Sequence, residues 1–552
     1  MKSNSQHDRL CLAIFSVVPH ARRATVCLIL LSVVFAGSFD ASAQQGAARA
    51  RRLPSPDKIV GDYLKVVGGK KRQGAVRDAT YEWNVESQAQ GADGAKGTAR
   101  TFVKFPASTR TDIRFERGET NAAANARSAW LRRTDGELRT LTDTEANVAK
   151  LLSALDASRL VDYKKQDVLA RTIEFSDGGN YLEPAYVVEF SRRNGARVRY
   201  WFGAESKLPV QVADDSRELR IRYKDYRAAE NGLIEPHRVE ISGRAYADAP
   251  LVLTLQNARY NTGLDDALFE PPSDASLNIS ELLRAVVRNQ QQLDERVSDY
   301  TFTRKETERE FDDKGVIKKE KIVIHEVYPV AGGGSVLKLI SENGVPLSPA
   351  ESEREEKRVM EEMAKLEREN AKRKEKRERE RAERVRKKGA TGSNSGDGDA
   401  DENVGIGIFL RACEFVSPRR ELFQDREAIV FDFRPRANFK PSNRGESVVA
   451  KLAGVVWIDP VDKQVMRLEA RLGEGYKVGG GLVASIRPGS AVVFEQTRLA
   501  DGVWLPRFSQ VNASAKLFLF AGFRIDATSE FSNYKRFSTS VGDATIDKQK
   551  EQ

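Results

Sequence analysis

The feature that most constrains this chain is a pattern it carries twice. Tyr200-Trp201-Phe202-Gly203-Ala204-Glu205-Ser206-Lys207 in the first half is answered by Val456-Trp457-Ile458-Asp459-Pro460-Val461-Asp462-Lys463 in the second. Downstream, Asn231-Gly232-Leu233-Ile234-Glu235-Pro236 is answered by Asp501-Gly502-Val503-Trp504-Leu505-Pro506. The tryptophans are offset by 256 residues and the glycines by 270, so the second copy carries 14 extra residues, which the glycine-rich segment 473–488 supplies. Asn-Gly and Asp-Gly between β-rich runs predict hairpin turns, because both central residues need positive φ. Two copies at this spacing predict two related domains and not a solenoid.

The flanking sequence predicts what each copy is made of. Ser55-Pro56-Asp57 reads as a helix start, with an N-cap, a proline in the first turn and an acid beside it. Ile59, Val60, Tyr63, Leu64 and Val67 then lie on one helical face, and Gly68-Gly69 ends it. Strands follow. Tyr81, Trp83 and Val85 alternate with Glu82, Asn84 and Glu86, and Phe102 and Phe105 follow a small-residue turn. About ten such strands run to Tyr260, interrupted by a helical stretch at 148–160. Alternation means one buried face and one wet face, and this many antiparallel strands must curl or split. The second half repeats the order. A helix with Ile279, Leu282, Leu283, Val286, Val287 and Leu293 at helical spacing precedes hairpins from Tyr300 onward.

Between the second set of strands lies a run, 349–388, composed almost wholly of Glu, Lys, Arg and Ala. Its first part (351–370) holds eight acids and five bases, and its last part (371–388) four acids and eleven bases. Acid early and base late suit a helix dipole. A solvated spacer and a basic tip for an anionic surface both fit this pattern. Residues 389–403 are polar and flexible in composition. The segment 404–415 reads as a short apolar helix, with Cys413 as a buried thiol.

The start of the chain reads as an export signal: Arg22-Arg23, an apolar run from Ala24 to Phe35, and small residues Ala41-Ser42-Ala43 before Gln44. Residues 1–43 are therefore expected to be a signal peptide and 44–54 a tether. The chain's net charge of +10 becomes +8 without the signal, which holds four bases and two acids. Cys11 and Cys27 leave with it. Cys413 alone remains, so no intramolecular disulfide forms in the oxidising compartment to which export leads. Nucleic acid is excluded as a partner by compartment.

Catalytic chemistry finds little support. Past the signal only His237 and His325 are available, and no Gly-x-Ser-x-Gly elbow exists. His237 stands where the other copy has Arg507, which suits a surface strand histidine. Zinc sites of His and Cys are excluded by number. Asp397-Gly398-Asp399-Ala400-Asp401 imitates half a calcium loop, but Glu402 and Ile408 stand where glycine and glutamate are needed. No catalytic residue, metal or cofactor is implied. A helix-covered, curved antiparallel sheet can enclose an apolar cavity, for which Tyr81, Trp83, Val85, Phe102 and Phe105 are the candidate lining.

The first half, over about 57–272, resembles the outer-membrane lipoprotein-sorting (LolA-like) superfamily. The resemblance rests on the 59–69 helix, on Asp225-Tyr226-Arg227 with Gly232 and Pro236, and on the closing Leu264-Asp265-Asp266-Ala267-Leu268-Phe269-Glu270-Pro271-Pro272. The second half looks like a diverged copy, and the whole is similar to envelope proteins of soil bacteria. The resemblance implies a mainly β fold: two tandem unclosed antiparallel β-barrels (55–273 and 274–540) with covering helices, the second interrupted by the charged helix at 349–388, and a tail at 541–552. It implies non-enzymatic, periplasmic binding of a lipid or lipoprotein acyl chain. The alternative expectation is an envelope scaffold with filled cores that docks an anionic membrane surface or an envelope protein through the charged helix.

Overall fold

The computed structural model describes residues 53–87, 95–179, 183–229, 232–243, 250–297, 299–311, 317–330, 334–388, 409, 411–442, 444–473, 475–478, 484–517 and 521–536. The export signal, the calcium-loop imitation, the 389–403 loop and the 541–552 tail lie outside these residues.

Helices α1 (Pro56–Val66) and α2 (Lys70–Ala75) lead into the first sheet. Its strands are β1 (Asp78–Ser87), β2 (Lys96–Lys104), β3 (Ser108–Phe115), β4 (Gly118–Ala124), β5 (Ala129–Arg132) and β6 (Leu138–Thr140). After helix α3 (Asp143–Ser158) come β7 (Leu169–Ser176), β8 (Ala185–Ser191), β9 (Arg197–Gly203), β10 (Pro209–Asp214), β11 (Leu219–Ala228), β12 (Ile234–Ser242) and β13 (Leu251–Tyr260). Two antiparallel meanders meet where β1 pairs with β13, and β6 and β7 are left as open edges.

Helix α4 (Ile279–Val297) opens the second half. Its strands are β14 (Tyr300–Phe311), β15 (Ile317–Pro329), β16 (Ser335–Glu342) and β17 (Val345–Pro346). Helix α5 (Pro349–Lys388) separates them from β18 (Cys413–Phe423), β19 (Arg426–Pro435), helix α6 (Arg444–Val449), β20 (Leu452–Asp459) and β21 (Gln464–Leu472). A side pair, β22 (Tyr476–Val478) and β23 (Ala484–Ile486), precedes β24 (Ala491–Arg498), β25 (Trp504–Leu517) and β26 (Ala521–Arg536). The strand order is β17-β16-β15-β14-β26-β25-β24-β21-β20-β19-β18, again antiparallel and unclosed. Cys413 and Phe415 stand in β18, where a helix is expected from sequence. Cys413, Phe415 and their β19 partners Phe433 and Pro435 are ordered by ladder pairing, which local apolarity does not reveal.

The two strand orders superimpose when β9 is matched to β20, the pairing of Trp201 with Trp457. The repeated residues build the same turn twice. Lys207 and Lys463 both adopt left-handed φ, 62° and 53°. Each donates its N–H to a carbonyl four residues back, Gly203 and Asp459, at 3.0 Å, and folds its ammonium onto a carbonyl three back, Ala204 or Pro460. The glycine turns also agree, with Ala229 N to Leu233 O at 2.7 Å and Leu499 N to Val503 O at 2.8 Å. Gly232 and Gly502 have φ of 70° and 86°, but Asp501 is not left-handed. With Gly502 N bonded to Leu499 O, this is a type I turn followed by a glycine bulge, where a two-residue mirror turn is expected from sequence.

In the same alignment α5 stands in the chain slot that α3 fills in the first half, between the fourth-strand region and the strand that opens the second meander. Only the start of α5 packs. Val359, Met363 and Leu366 meet Tyr328, Val330 and Val336, and from Ala371 to Glu380 every described side chain is exposed.

The halves are joined by polar side chains. Arg419, 2% exposed, donates to Glu421, Asp432 and the Thr140 hydroxyl, while Thr140 N donates to Glu421 at 2.7 Å. Ser128 donates to Asp432 at 2.7 Å, Arg467 reaches Asp143 at 2.6 Å, and Asn512 donates to Arg193 O at 2.8 Å. Edge strand β6 is thereby sealed against β18.

Candidate functional site

Helix α3 is the element to read first, because its burial runs the wrong way round. Val148, Leu151 and Leu155 pack with Ile59, Val60 and Leu64 of α1 and with Val188, Phe190, Val198, Tyr200, Phe202 and Val212 of β8–β10. On another flank, Ala146 packs with Ala124 and Ala129, and the Ser153 hydroxyl donates to Ala107 O (2.7 Å) and Ala124 O (3.1 Å). Its back is also covered. Ala154 is fully buried and Ser158 4% exposed, and the charges that reach Lys150 include Glu469, Arg471 and Asp432 of the second sheet.

At 3.6 residues per turn, Leu152, Asp156 and Arg159 form a stripe between the two flanks that touch the first sheet. That stripe lies toward the first sheet between those two flanks, and beyond the first turn Asp156 is the exposed position of the helix. Yet protein surrounds the carboxyl closely enough for desolvation to push it up to about 7, against the pull of Arg159. Leu152, Tyr63, Ile221 and Tyr223, all part-buried, border the same cluster.

The core beside this stripe is aromatic and phenolic. Tyr63 lies 5.8 Å from Phe202, Tyr200 6.0 Å from Phe202 and 5.1 Å from Phe190, ring centre to ring centre. Burial pushes the Tyr63 hydroxyl up to about 12 and those of Tyr200 and Tyr223 further up, with the charge of Asp156 adding to both. These phenols stay neutral at any physiological pH.

A polar node ties the end of α3 to the strands. Arg159 has left-handed φ of 51° at the C-terminus of the helix. Its guanidinium donates to Gln73 of α2, to the Tyr81 hydroxyl at 2.8 Å and to Glu235. Glu235 also accepts from Tyr81 (3.2 Å) and Tyr260 (3.0 Å). Two carboxylates thus border the concave face. Glu235 has three donors, and among the described residues no side chain donates to Asp156.

The expected lining residues separate. Tyr81, Trp83 and Val85 share the inner face of β1, with Ala79, Leu253 and Leu255 around them. All three are 9% exposed or less, and among the described residues the Trp83 indole N–H has no partner. Phe102 pairs with Thr80, so it points to the opposite face of the sheet. Phe105 lies beyond the end of β2, 40% exposed under the Arg77 guanidinium. Sequence alternation passes over Asp156, Arg159 and Glu235. Two signals for them exist. An aspartate stands four residues after Leu152 on an apolar helix, and Glu235 occupies the repeat position that in the other copy is Leu505, which is fully buried.

In the second half, Leu282, Leu283 and Val286 of α4 fill the inner face against Phe431, Phe433, Val456 and Ile458. Cys413 is fully buried there, and desolvation pushes its thiol up to about 12. A depression of about 570 Å³ lies between residues 275–280 and β18, lined also by Glu414, Phe415 and Arg436. Its charged groups are already engaged: Arg434 bonds Glu414, and Arg436 bonds the carbonyls of Arg411 and Cys413.

Fold and site together define a class: a mainly β protein of open antiparallel sheets backed by helices. No family model and no curated protein matches the chain. Among solved structures it is similar to a LolA-superfamily protein from Nitrosomonas europaea, at 14% identity and a TM-score of 0.27, covering 39% of this chain and 98% of that one. An outer-membrane lipoprotein-sorting protein domain from Vibrio parahaemolyticus is similar at 11% identity and 0.27, covering 38% and 94%. A DUF1329-family protein from Desulfovibrio piger is similar at 14% and 0.27, covering 38% and 97%. Likeness at this level carries no argument about function, which rests on the geometry. Among the described residues no helix is long and apolar enough to cross a membrane.

Proposed function

We propose that the first half binds a lipid or acyl chain non-covalently in the hollow beneath α3, as a carrier and not as an enzyme, in the periplasm after export by the 1–43 segment. The observation that supports this most is Asp156, accessible on the sheet-facing stripe of a helix whose other faces are covered. The part-buried apolar side chains beside this stripe, Leu152, Tyr63, Ile221 and Tyr223, suit an apolar chain. Tyr81, Trp83 and Val85 form its floor toward β1 in this reading. Neutral phenols and one unbonded carboxyl offer no nucleophile with an adjacent base. Native mass spectrometry with lipid extraction of envelope-purified protein tests the reading. Co-purifying lipid or acyl species near one per chain supports it, and a clean apo mass with no uptake of a fluorescent fatty acid or fatty amine overturns it.

A second reading has an observation of its own: α5 leaves the sheet after Leu366, exposes 371–380, and ends in the basic stretch. In that reading the protein is an envelope scaffold that docks a partner or an anionic surface through α5. Deletion of 371–388 then releases the protein from the envelope fraction and leaves lipid content unchanged.

A further inference from the structure

We propose that the seam between α3 and the second sheet is a binding site for a phosphate-class oxyanion, received by Lys150, Arg192 and Arg471. The site goes beyond the lipid reading and does not depend on it. Its first wall is β21. Arg467, Glu469 and Arg471 take alternate places along this strand and so share one face. That face looks at α3, because Arg467 reaches Asp143 at 2.6 Å. Lys150 stands two turns after Asp143, on the same side of the helix. Two helical turns run about 10 Å, and the four strand residues from Arg467 to Arg471 about 13 Å, so Lys150 comes into the neighbourhood of Arg471. The turn between β8 and β9 closes the seam from a third direction. Arg192 donates to Lys150 O at 3.3 Å and to Gln166 O at 3.2 Å, and Arg193 O accepts from Asn512 of β25 at 2.8 Å. Gly489, just before β24, marks the fourth side: a Cβ there would stand 3.4 Å from Arg471 Nη2 and 2.8 Å from an Asp167 carboxylate oxygen.

The charges in this seam do not balance. Its carboxylates are committed to other cations: Asp167 to Arg193 at 3.0 Å, Glu469 to Arg467 at 2.8 Å and Asp432 to Arg419 at 3.0 Å. Among the described residues no carboxylate pairs with Lys150, Arg192 or Arg471, and the buried Nε atoms of Arg192 and Arg193 have no acceptor. Burial and the neighbouring Arg471 push Arg192 down to about 10, and burial lowers Arg471 and Lys150 as well. Cations withdrawn from water without a counter-charge are costly, and an arriving anion removes that cost. All three are part-buried and not sealed, so a small ion reaches them from solution. Three unmatched cations call for more than one negative charge, and guanidinium forks match the paired oxygens of a tetrahedral oxyanion. A monocarboxylate or a chloride ion under-compensates such a site.

The test uses the whole mature chain in a chloride buffer at pH 7.5 and titration calorimetry at constant ionic strength. The probes are inorganic phosphate, glycerol 3-phosphate and, as the monocarboxylate, acetate. The expected result is saturable binding of one phosphate per chain with a Kd below about 1 mM, and at least tenfold weaker binding of acetate. Arg471→Gln should weaken phosphate at least tenfold. Arg259→Gln, which removes an exposed cation from the first sheet, should change it less than twofold. Lys150→Gln should show the same loss as Arg471→Gln and replaces it should that variant fold poorly. Absence of saturable binding by both phosphate probes overturns the site. So does equal weakening by Arg259→Gln, or wild-type affinity in Lys150→Gln and Arg471→Gln. A lead for glycerol 3-phosphate supports the site with a phosphate ester, such as a phospholipid head group, as the source, and a lead for inorganic phosphate supports it with the free ion.

Discussion

At the scale of single residues, Asp156 makes a measurable statement about stability. Its folded value is about 7 and its unfolded reference 3.8. Between these the folded chain holds a proton that the unfolded chain has released. Stability therefore falls as pH rises through this window. Asp156→Asn removes that component, so the difference in unfolding free energy between variant and parent should widen in the variant's favour from pH 4 to pH 7, as read by urea denaturation at several pH values. Glu235 gives the opposite lesson. Replacing it with leucine, the residue its repeat partner carries, leaves the Arg159 guanidinium buried without its counter-charge. A loss of about 3–5 kcal/mol is expected for such a broken buried pair. A denaturant midpoint within error of wild type would sink this account of the node.

At the scale of elements, α5 does more than project. Strand β17 pairs only with Ser341 and Glu342 of β16. Past it the edge of β16 would present bare backbone. Instead Leu339 N donates to the Glu355 carboxylate at 2.8 Å, and Arg358 donates to Leu337 O. Two helix side chains stand in for the missing strand, a device that blunts an edge against pairing with other chains. The double variant Glu355→Ala with Arg358→Ala should raise self-association at high concentration, seen by sedimentation velocity, with little change in monomer circular dichroism. This element also shows where sequence reading stops. The helix at 349–388 is legible residue by residue, because charge pairing at i, i+4 and a dipole-matched gradient are local signals. Its place in the slot of α3 is not, because slot identity is set by long-range strand order. The duplication, the covering helices and the unclosed antiparallel sheets were legible for the opposite reason: turn residues and two-residue alternation are written in adjacent positions. The facing of the expected lining residues was half legible. Alternation gives Tyr81, Trp83 and Val85 one face, but it cannot phase Phe102 across a turn, where the β1–β2 register decides.

At the scale of the whole molecule, the two sheets meet through buried charge. Arg419 bonds Glu421 and Asp432, side chains 1% and 0% exposed. Arg419→Met leaves the buried Glu421 without its arginine and Asp432 with only Arg127, at 3.8 Å, as a counter-charge. Uncoupling of the halves is expected, with a single calorimetric unfolding peak becoming two. Persistence of one unshifted peak would mean that the interface is held by other contacts.

The same geometry makes α3 a party wall. One side of it faces the hollow through Leu152 and Asp156, and the other is bonded into the second sheet through Asp143 and Arg467. Any widening of the hollow that moves this helix must work against the joint between the halves. In the carrier reading, occupancy on one side and cohesion on the other are drawn from a single free-energy function, and whatever tightens the joint changes the affinity for a guest by the same factor that the guest changes the joint.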